Sequence, residues 1–296
     1  MKVLVIGSEG NIGVELVKHF KKIGHDVFEC DIKAGWRKNY WQADINNPID
    51  LLNLFENSKP DVVYLLAALV SRVTCEQAPG LAIQTNLGGL QNVIEYCKLY
   101  ESKLIYFSTS EVYGNIGGIL KEYETIPQPN NRYGLSKYLG EKLVEYEVIN
   151  HKLKAATVRP FMFYHENETR GDHRSAMIRF IEHLSKRERI EIHRGSERSW
   201  LHLDDGVIIL ERVMHQAEYG IFNIGSPEHA SIESLASLIA KKLNVKLADY
   251  ADIIDLPSRM TLIKRPDLTR MLDILGHKPT IHLEEGVNRV ISGFKF

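Results

Sequence analysis

A short apolar strand that breaks into a glycine loop and then into a helix opens this chain, and it constrains the fold more than any other stretch. Lys2-Val3-Leu4-Val5-Ile6 is rich in β-branched residues and reads as a buried strand. Gly7-Ser8-Glu9-Gly10-Asn11-Ile12-Gly13 follows at once, and Val14, Leu16, Val17 and Phe20 then recur at helical spacing. Gly7 allows a sharp turn off the strand. Gly10 has no side chain to keep a pyrophosphate from the backbone, and Gly13 lets the helix lie close on the strand. The helix N-terminus offers unpaired N–H groups and the positive end of its dipole. This order predicts a dinucleotide-binding unit built into an open α/β sheet.

Bulk composition narrows the class further. The 296 residues are 44% hydrophobic, enough for a sizeable core. With 37 basic and 38 acidic residues the formal net charge is -1, which argues against a general nucleic-acid or anionic-membrane binder. The run Val62 to Val70 is too short to span a bilayer. Cys30, Cys75 and Cys97 are widely spaced and fit buried thiols in a reducing compartment. The loop begins at residue 7, leaving no room ahead of it for a signal peptide, so a cytoplasmic protein is expected.

Asp26 to Asp31 reads as a second strand, with Asp31 at its end, 18 residues after Gly13. A carboxylate there accepts hydrogen bonds from both adenosine ribose hydroxyls and repels a 2′-phosphate, which predicts NAD rather than NADP. Lys33 and Arg37 nearby pull the other way. Trp41 to Ile45 reads as a third strand, with Asp44 placed to meet an adenine edge, and Ile49 to Phe55 as a helix. Val62 to Leu66 has the continuous hydrophobicity of a parallel strand covered on both faces. The small Ala67 and Ala68 after it let the backbone pass close to a cofactor. Ala82 to Tyr100 is helical in pattern, with Asn86, Leu90, Val93, Ile94 and Cys97 on one face.

Lys103 to Phe107 is the next strand and runs into Ser108-Thr109-Ser110-Glu111-Val112-Tyr113-Gly114. A polar cluster at the C-terminal end of a buried strand lies where open α/β sheets bind ligands. A helix then begins at Arg132 and puts Tyr133 and Lys137 on one face. A lysine beside the tyrosine is expected to lower the phenol pKa and make Tyr133 usable as a base. Tyr-x-x-x-Lys alone is a weak signal; its order after the glycine loop and the hydroxyl-bearing strand end gives it weight.

These motifs together resemble an extended short-chain dehydrogenase/reductase of the NAD-dependent nucleotide-sugar epimerase/dehydratase family. The residues that carry the likeness are Gly7, Gly10 and Gly13; Asp31; Asp44-Ile45; Leu66-Ala67-Ala68; Asn86; Ser108 to Gly114; Tyr133 with Lys137; Arg159-Pro160-Phe161; and Arg198 to Asp205. The resemblance covers nearly the whole chain. It implies a Rossmann-like, doubly wound parallel sheet with a smaller α+β substrate-binding lobe. Residues 1–160, joined again by 196–225, would form the first lobe, and 161–195 with 226–296 the second. NAD would be held by Gly7, Gly10, Asn11, Ile12, Gly13, Asp31, Asp44, Ile45, Leu66, Ala67, Ala68, Tyr133 and Lys137. Thr109, Tyr133 and Lys137 would be catalytic, with Ser110 and Glu111 as secondary candidates. A nucleotide-diphosphate sugar would meet Ser71, Asn86, Thr109, Arg198, Arg259 and Arg265. A homodimer would pair the helices near 84–100 and 133–150, with Leu139, Leu143 and Tyr146 of the second helix serving that contact or the core.

Departures from the family pattern refine the expectation. Family dehydratases carry an acidic residue where Ser110 stands, and a serine cannot supply a proton as a carboxylic acid does. Met162 takes the place of a family asparagine, and Tyr164-His165-Glu166 replaces Tyr-Gly-Pro, opening a charged stretch to Arg174. His165 and His173 share no metal-ligand spacing with a third residue, so no metal is predicted. The reading is C4 epimerisation of an NDP-sugar by transient oxidation. Dehydration, decarboxylation or release of the keto sugar share the same first step, and a non-catalytic NAD-binding regulator is the alternative of another class. The base, the sugar and the fate of the keto intermediate stay open.

Overall fold

A computed structural model describes residues 1–169, 175–256 and 261–294. In chain order, β1 (Lys2–Ile6), β2 (Asp26–Asp31), β3 (Tyr40–Gln42), β4 (Val62–Leu65) and β5 (Lys103–Phe107) come with α1 (Asn11–Lys22), α2 (Pro48–Ser58), α3 (Arg72–Gln77), α4 (Pro79–Ile83) and α5 (Gly89–Leu99). Next are β6 (Ile119–Leu120), α6 (Arg132–His151), β7 (Ala155–Pro160), β8 (Met162–Tyr164), α7 (Ala176–Ser185), β9 (Ile190–His193) and β10 (Glu197–His202). The chain finishes with α8 (Leu203–Val213), β11 (Ile221–Ile224), β12 (His229–Ser231), α9 (Ile232–Lys242), β13 (Ala251–Ile254), β14 (Arg265–Pro266), α10 (Thr269–Leu275) and α11 (Leu283–Gly293).

Seven strands make one sheet in the order β11-β7-β5-β4-β1-β2-β3, and every pair in it is parallel. Strand alternation sends Val3 and Val5 to one face and Leu4 and Ile6 to the other. On the first face they meet Leu16, Val17 and Phe20 of α1 with Ile209, Leu210 and Val213 of α8. On the second they meet Leu51, Leu54 and Phe55 of α2, Leu90, Val93 and Ile94 of α5, and Val144 of α6. Burial on both faces is why β4 is apolar throughout. The order reverses between β1 and β4, which opens a ligand crevice at the carboxyl ends of those strands.

Only Phe161 separates β7 from β8, so the chain leaves the main sheet there and builds a smaller layer. It contains a three-stranded sheet, β12-β10-β8, and a pair, β13-β9. Its core gathers Ile178 and Ile181 of α7, Leu235 and Ile239 of α9, and Val287 and Val290 of α11 around Trp200. Within 196–225, β10 belongs to this smaller sheet, α8 packs on α1, and β11 joins the main sheet beside β7.

Two elements differ from the sequence reading. The third strand ends at Gln42 rather than Ile45, because Asp50 takes the Asp44 N–H at 3.1 Å and Asp44 takes that of Asn46 at 2.9 Å, turning the chain into α2. The helix expected over 82–100 starts at Pro79 and passes through a π turn over Gln84–Gly88, which carries the inward-facing Asn86. Among the described residues no helix is long and apolar enough to cross a membrane.

Candidate active site

The glycine loop lies at the switch point. Gly7 has φ of +94°, and a Cβ there would come within 2.7 Å of the Ala67 nitrogen. A Cβ on Gly13 would lie 2.2 Å from the Gly7 oxygen, so glycine is required for α1 to sit this close. Gly10 is different: its Cβ would meet nothing nearer than 3.4 Å. Gly10 caps α1 without a side chain, and Asn11 and Ile12 form its first turn. An open cradle at a helix N-terminus fits a pyrophosphate. Leu66 and Ala67 both bond the Ile6 carbonyl through their N–H groups, and Ala68 follows half-buried.

Asp31 is fixed at the tip of β2 by the backbone N–H groups of Glu9 at 3.0 Å and Lys33 at 3.2 Å. Arg37 is committed elsewhere: it bonds Glu29 and Glu9 and stacks 4.3 Å over the Tyr40 ring. Of the two cations that weighed toward NADP, Arg37 is thereby paired. Asp44 is exposed beyond β3, and Ile45 is buried against Gly89.

Helix α6, which carries Tyr133 and Lys137, is docked on the end of β5. Asn131 caps α6 through its side chain to the Gly134 N–H at 2.8 Å. A Cβ on Gly134 would fall 2.7 Å from the Glu111 oxygen, so the first turn of α6 lies directly on the 110–113 turn. Thr109 caps that turn through the Glu111 N–H at 3.2 Å and hydrogen-bonds the Tyr133 phenol. Burial pushes the phenol pKa above its ordinary value against that hydrogen bond, and Glu111 adds to the rise. Lys137 is buried with its ammonium 4.4 Å over the Tyr106 ring. Burial pulls it down to about 7, with Glu141 opposing. The expected lowering of the phenol by Lys137 is therefore not what the structure gives: desolvation dominates both groups.

Glu111 is the charged centre of the cleft. Its Oε1 lies 2.5 Å from Lys264 Nζ and 3.7 Å from Arg72 Nη1, and its Oε2 accepts from Asn131 at 3.1 Å. Against its burial, Lys264 and Arg72 hold its pKa at about 2. Glu111 thus stands as a carboxylate with both oxygens engaged and holds no proton to donate near neutral pH. Ser110 is buried beside it.

The remaining substrate candidates fall in three groups. Asn86 spends its amide on Leu69 N at 2.7 Å, Leu69 O at 3.1 Å and Ser136 Oγ at 2.9 Å, bracketing the loop after β4 to α6. Ser71 caps α3 through the Thr74 N–H. Arg198 is buried and donates to the carbonyls of Glu197, Leu262 and Thr261, which leaves its Nε–H and one Nη2 hydrogen. Burial lowers its pKa to about 10. Arg265 is turned onto Glu197 at 2.9 Å on the surface. Arg259 lies outside the described residues, as does His173.

Three parts of the site escaped the sequence reading. Lys264 and Arg72 carry no spacing signal toward Glu111, because they arrive from distant segments. Glu141 is one turn beyond Lys137, a relation that the helical period could have raised. It forms a buried ion pair with Arg159 at 2.7 Å and accepts from Ser108, while Arg159 also bonds Tyr113. The third is His202, which joins His165 and Glu166 with their ligand atoms all within 4.8 Å. Each ring accepts a backbone N–H at Nδ1, from Asn167 at 3.1 Å and from Asp204 at 3.2 Å. That fixes the proton on Nε2, which faces Asp204 in one case and Glu166 in the other. A metal on Nε2 would move each ring proton to Nδ1 and cost the backbone hydrogen bond there, so this arrangement suits hydrogen bonding.

Known proteins share this fold. A sequence relative, UDP-N-acetyl-alpha-D-glucosaminuronate decarboxylase of Bacillus cytotoxicus, is 24% identical over 99% of this chain and 98% of its own. The structure of a UDP-glucose 4-epimerase from Thermotoga maritima with UDP-glucose superposes with a TM-score of 0.91 at 24% identity, covering 100% and 99% of the two chains. A dTDP-glucose 4,6-dehydratase from Bacillus anthracis in complex with NAD gives 0.87 at 20% identity over 99% and 96%. The profile of the NAD dependent epimerase/dehydratase family matches residues 3–225, and with the glycine cradle, Asp31, and Thr109 bonded to Tyr133 of α6 in place, the chain belongs to that NAD-dependent family.

Proposed function

We propose that this chain is a nucleotide-sugar 4-epimerase, acting by transient oxidation at C4 of an NDP-sugar held in the cleft between the main sheet and the smaller layer. The observation that carries the choice among reactions is the state of Glu111 beside Ser110. Water loss at C6 needs an acid where Ser110 stands. The neighbouring carboxylate is charged and tied to Lys264 and Asn131. With no proton donor for elimination, returning the hydride to C4 is the outcome these residues favour.

Gly7, Gly10, Gly13 and Asp31 would hold NAD, whose nicotinamide would supply a reversible hydride acceptor for C4. The chain does the rest. Thr109 and Tyr133 share a hydrogen bond beside which the C4 hydroxyl would lie, and Tyr133 takes the hydroxyl proton in its phenolate form, which the burial of the free site opposes and positive charge at the bound cofactor would favour. Tyr133 then returns that proton after the sugar ring has presented its other face. Lys137, one turn beyond Tyr133 with its ammonium over the Tyr106 ring, brings positive charge to this end of the site when protonated, and Arg198 has donors left for the diphosphate.

The experiment is to incubate purified protein with a panel of nucleotide sugars and identify products by NMR and mass spectrometry. A 4-epimer of unchanged mass is expected. A 4-keto-6-deoxy product in good yield would show that Ser110 does not block dehydration and would overturn this choice.

A homodimer is part of the same proposal. Leu135, Leu139, Tyr146 and Ile149 expose apolar surface along one face of α6, with Leu81 and Ile83 of α4 nearby in the fold. A second copy of the same face would cover it.

A further inference from the structure

We propose that Tyr106 is a positioning residue of the active site: its ring face seats the Lys137 ammonium and helps keep it a cation, work that no anion of the site is free to do. The inference rests on the reading of Lys137 as part of the reacting machinery and goes beyond it, to the residue that holds the lysine.

Tyr106 lies next to the end of β5 and is fully buried. It meets Lys137 at both ends. Its ring centroid is 4.4 Å from the lysine Nζ, and its hydroxyl donates to the Lys137 carbonyl at 3.2 Å. The second bond depends on Gly140, where a Cβ would fall 2.1 Å from the Tyr106 oxygen. One side chain of the strand thus fixes the backbone of α6 at Lys137 and also the far end of the lysine.

Lys137 is only 3% exposed, and among the described residues no acceptor takes a hydrogen bond from its Nζ. An ammonium placed there loses hydration, so it needs negative potential from the protein to stay charged. The titratable groups around the pair are Glu141 and Tyr133 on α6, Glu111 after β5, Arg159 on β7, Cys75 on α3 and Tyr219 ahead of β11. Burial raises the pKa of both phenols and of the thiol, which keeps them neutral. Glu111 is taken by Lys264. Glu141 favours the Lys137 cation, but its oxygens already serve Arg159 at 2.8 and 2.7 Å and Ser108, so a full positive charge sits against it. What remains is the π face of Tyr106, whose own phenol burial holds neutral. The negative face of an aromatic ring attracts a cation more strongly when both are out of water.

The consequence is a working range. Lys137 is a cation only below its pKa of about 7, and Tyr106 sets how high that limit stands without touching substrate.

The test reads Lys137 directly. The full chain, carrying carbon-13 at the lysine ε-carbons, is titrated by NMR, with the Lys137 signal assigned by its loss in Lys137→Arg. In wild type that signal should titrate at about 7, apart from the surface lysines at about 10.4. Tyr106→Phe keeps the ring and should keep the midpoint within about 0.3 pH unit. Phenylalanines bearing one, two and three ring fluorines at position 106 keep the shape and drain the negative face. They should lower the midpoint stepwise, by about one pH unit in all, and Tyr106→Leu should lower it as far. A midpoint unmoved across the fluorinated series overturns the proposal. So does a shift in Tyr106→Phe as large as in Tyr106→Leu, since the hydroxyl rather than the ring would then hold the lysine. Should Tyr106→Leu fail to fold, the fluorinated series decides alone. The titration needs no substrate, so turnover is scored apart: a midpoint that follows the fluorines in a protein that epimerises no sugar upholds this inference and defeats the epimerase reading.

Discussion

Lys264 sets its ammonium 2.5 Å from the Glu111 carboxylate, and both side chains are almost withdrawn from water. The pair ties the turn after β5 to the segment that leads into β14, across 153 residues of sequence. It fixes Glu111 as an anion beside Tyr133 and clamps the two sides of the cleft near the catalytic helix.

This pair has a pH signature. The Glu111 pKa falls from an ordinary 4.5 to about 2. A depressed carboxyl contributes stability above its unfolded pKa and loses it as pH falls through the folded value. In denaturant unfolding, wild type should exceed Glu111→Gln by about 3–5 kcal/mol at pH 7, the usual cost of stranding one partner of a buried ion pair. The gap should narrow below about pH 4.5 and close toward pH 2. A gap independent of pH would show that Glu111 is not held charged.

Tyr133→Phe keeps the ring and removes the proton acceptor. The rate of C4 oxidation, followed as nicotinamide reduction in a single turnover, should fall by about 10²–10⁴-fold. UDP affinity should stay unchanged, because the phosphate donors lie on other segments. Full turnover by this variant would remove Tyr133 from the mechanism.

Asp31→Ala should weaken NAD and improve NADP relative to it, since the ribose acceptor and the charge that repels a 2′-phosphate leave together. Arg37 is held by Glu29 and Glu9, so the gain for NADP should be partial. Fluorescence titration with both cofactors measures the ratio; a wild type that prefers NADP contradicts the assignment.

Glu141→Ala strands the buried Arg159 guanidinium and should cost about 3–5 kcal/mol of folding stability. It also removes the carboxylate that opposes the lowering of the Lys137 pKa. Protonation of Lys137 is then lost at lower pH, so any activity that survives should decline at lower pH than in wild type. A stability curve and a pH–rate profile on one preparation separate the two effects.

Leu139→Glu together with Ile149→Glu should convert a dimer into a monomer in sedimentation at micromolar concentration, with the far-UV circular dichroism kept. A wild type that sediments as a monomer would refute the pairing of α6 with its copy.

Local chemistry determined much of this protein. The run Val3 to Ile6, Gly7, Gly10 and Gly13, and the helical spacing after them specify strand, cradle and helix, because each demand falls on neighbouring residues. Tyr133 and Lys137 share a face by helical period alone, and continuous apolarity in β4 announces a sheet covered on both sides. Tertiary structure decided what those residues experience. The charge on Glu111 depends on Lys264 and Arg72, the anchoring of Asn86 on Ser136, and the pairing of His165 and Glu166 on His202. Each partner is far away in the chain. The Tyr133 phenol pKa moves opposite to the local expectation for the same reason. Helical proximity supplies an electrostatic term that sequence can show, while desolvation depends on everything packed around the pair, and here desolvation is the larger effect.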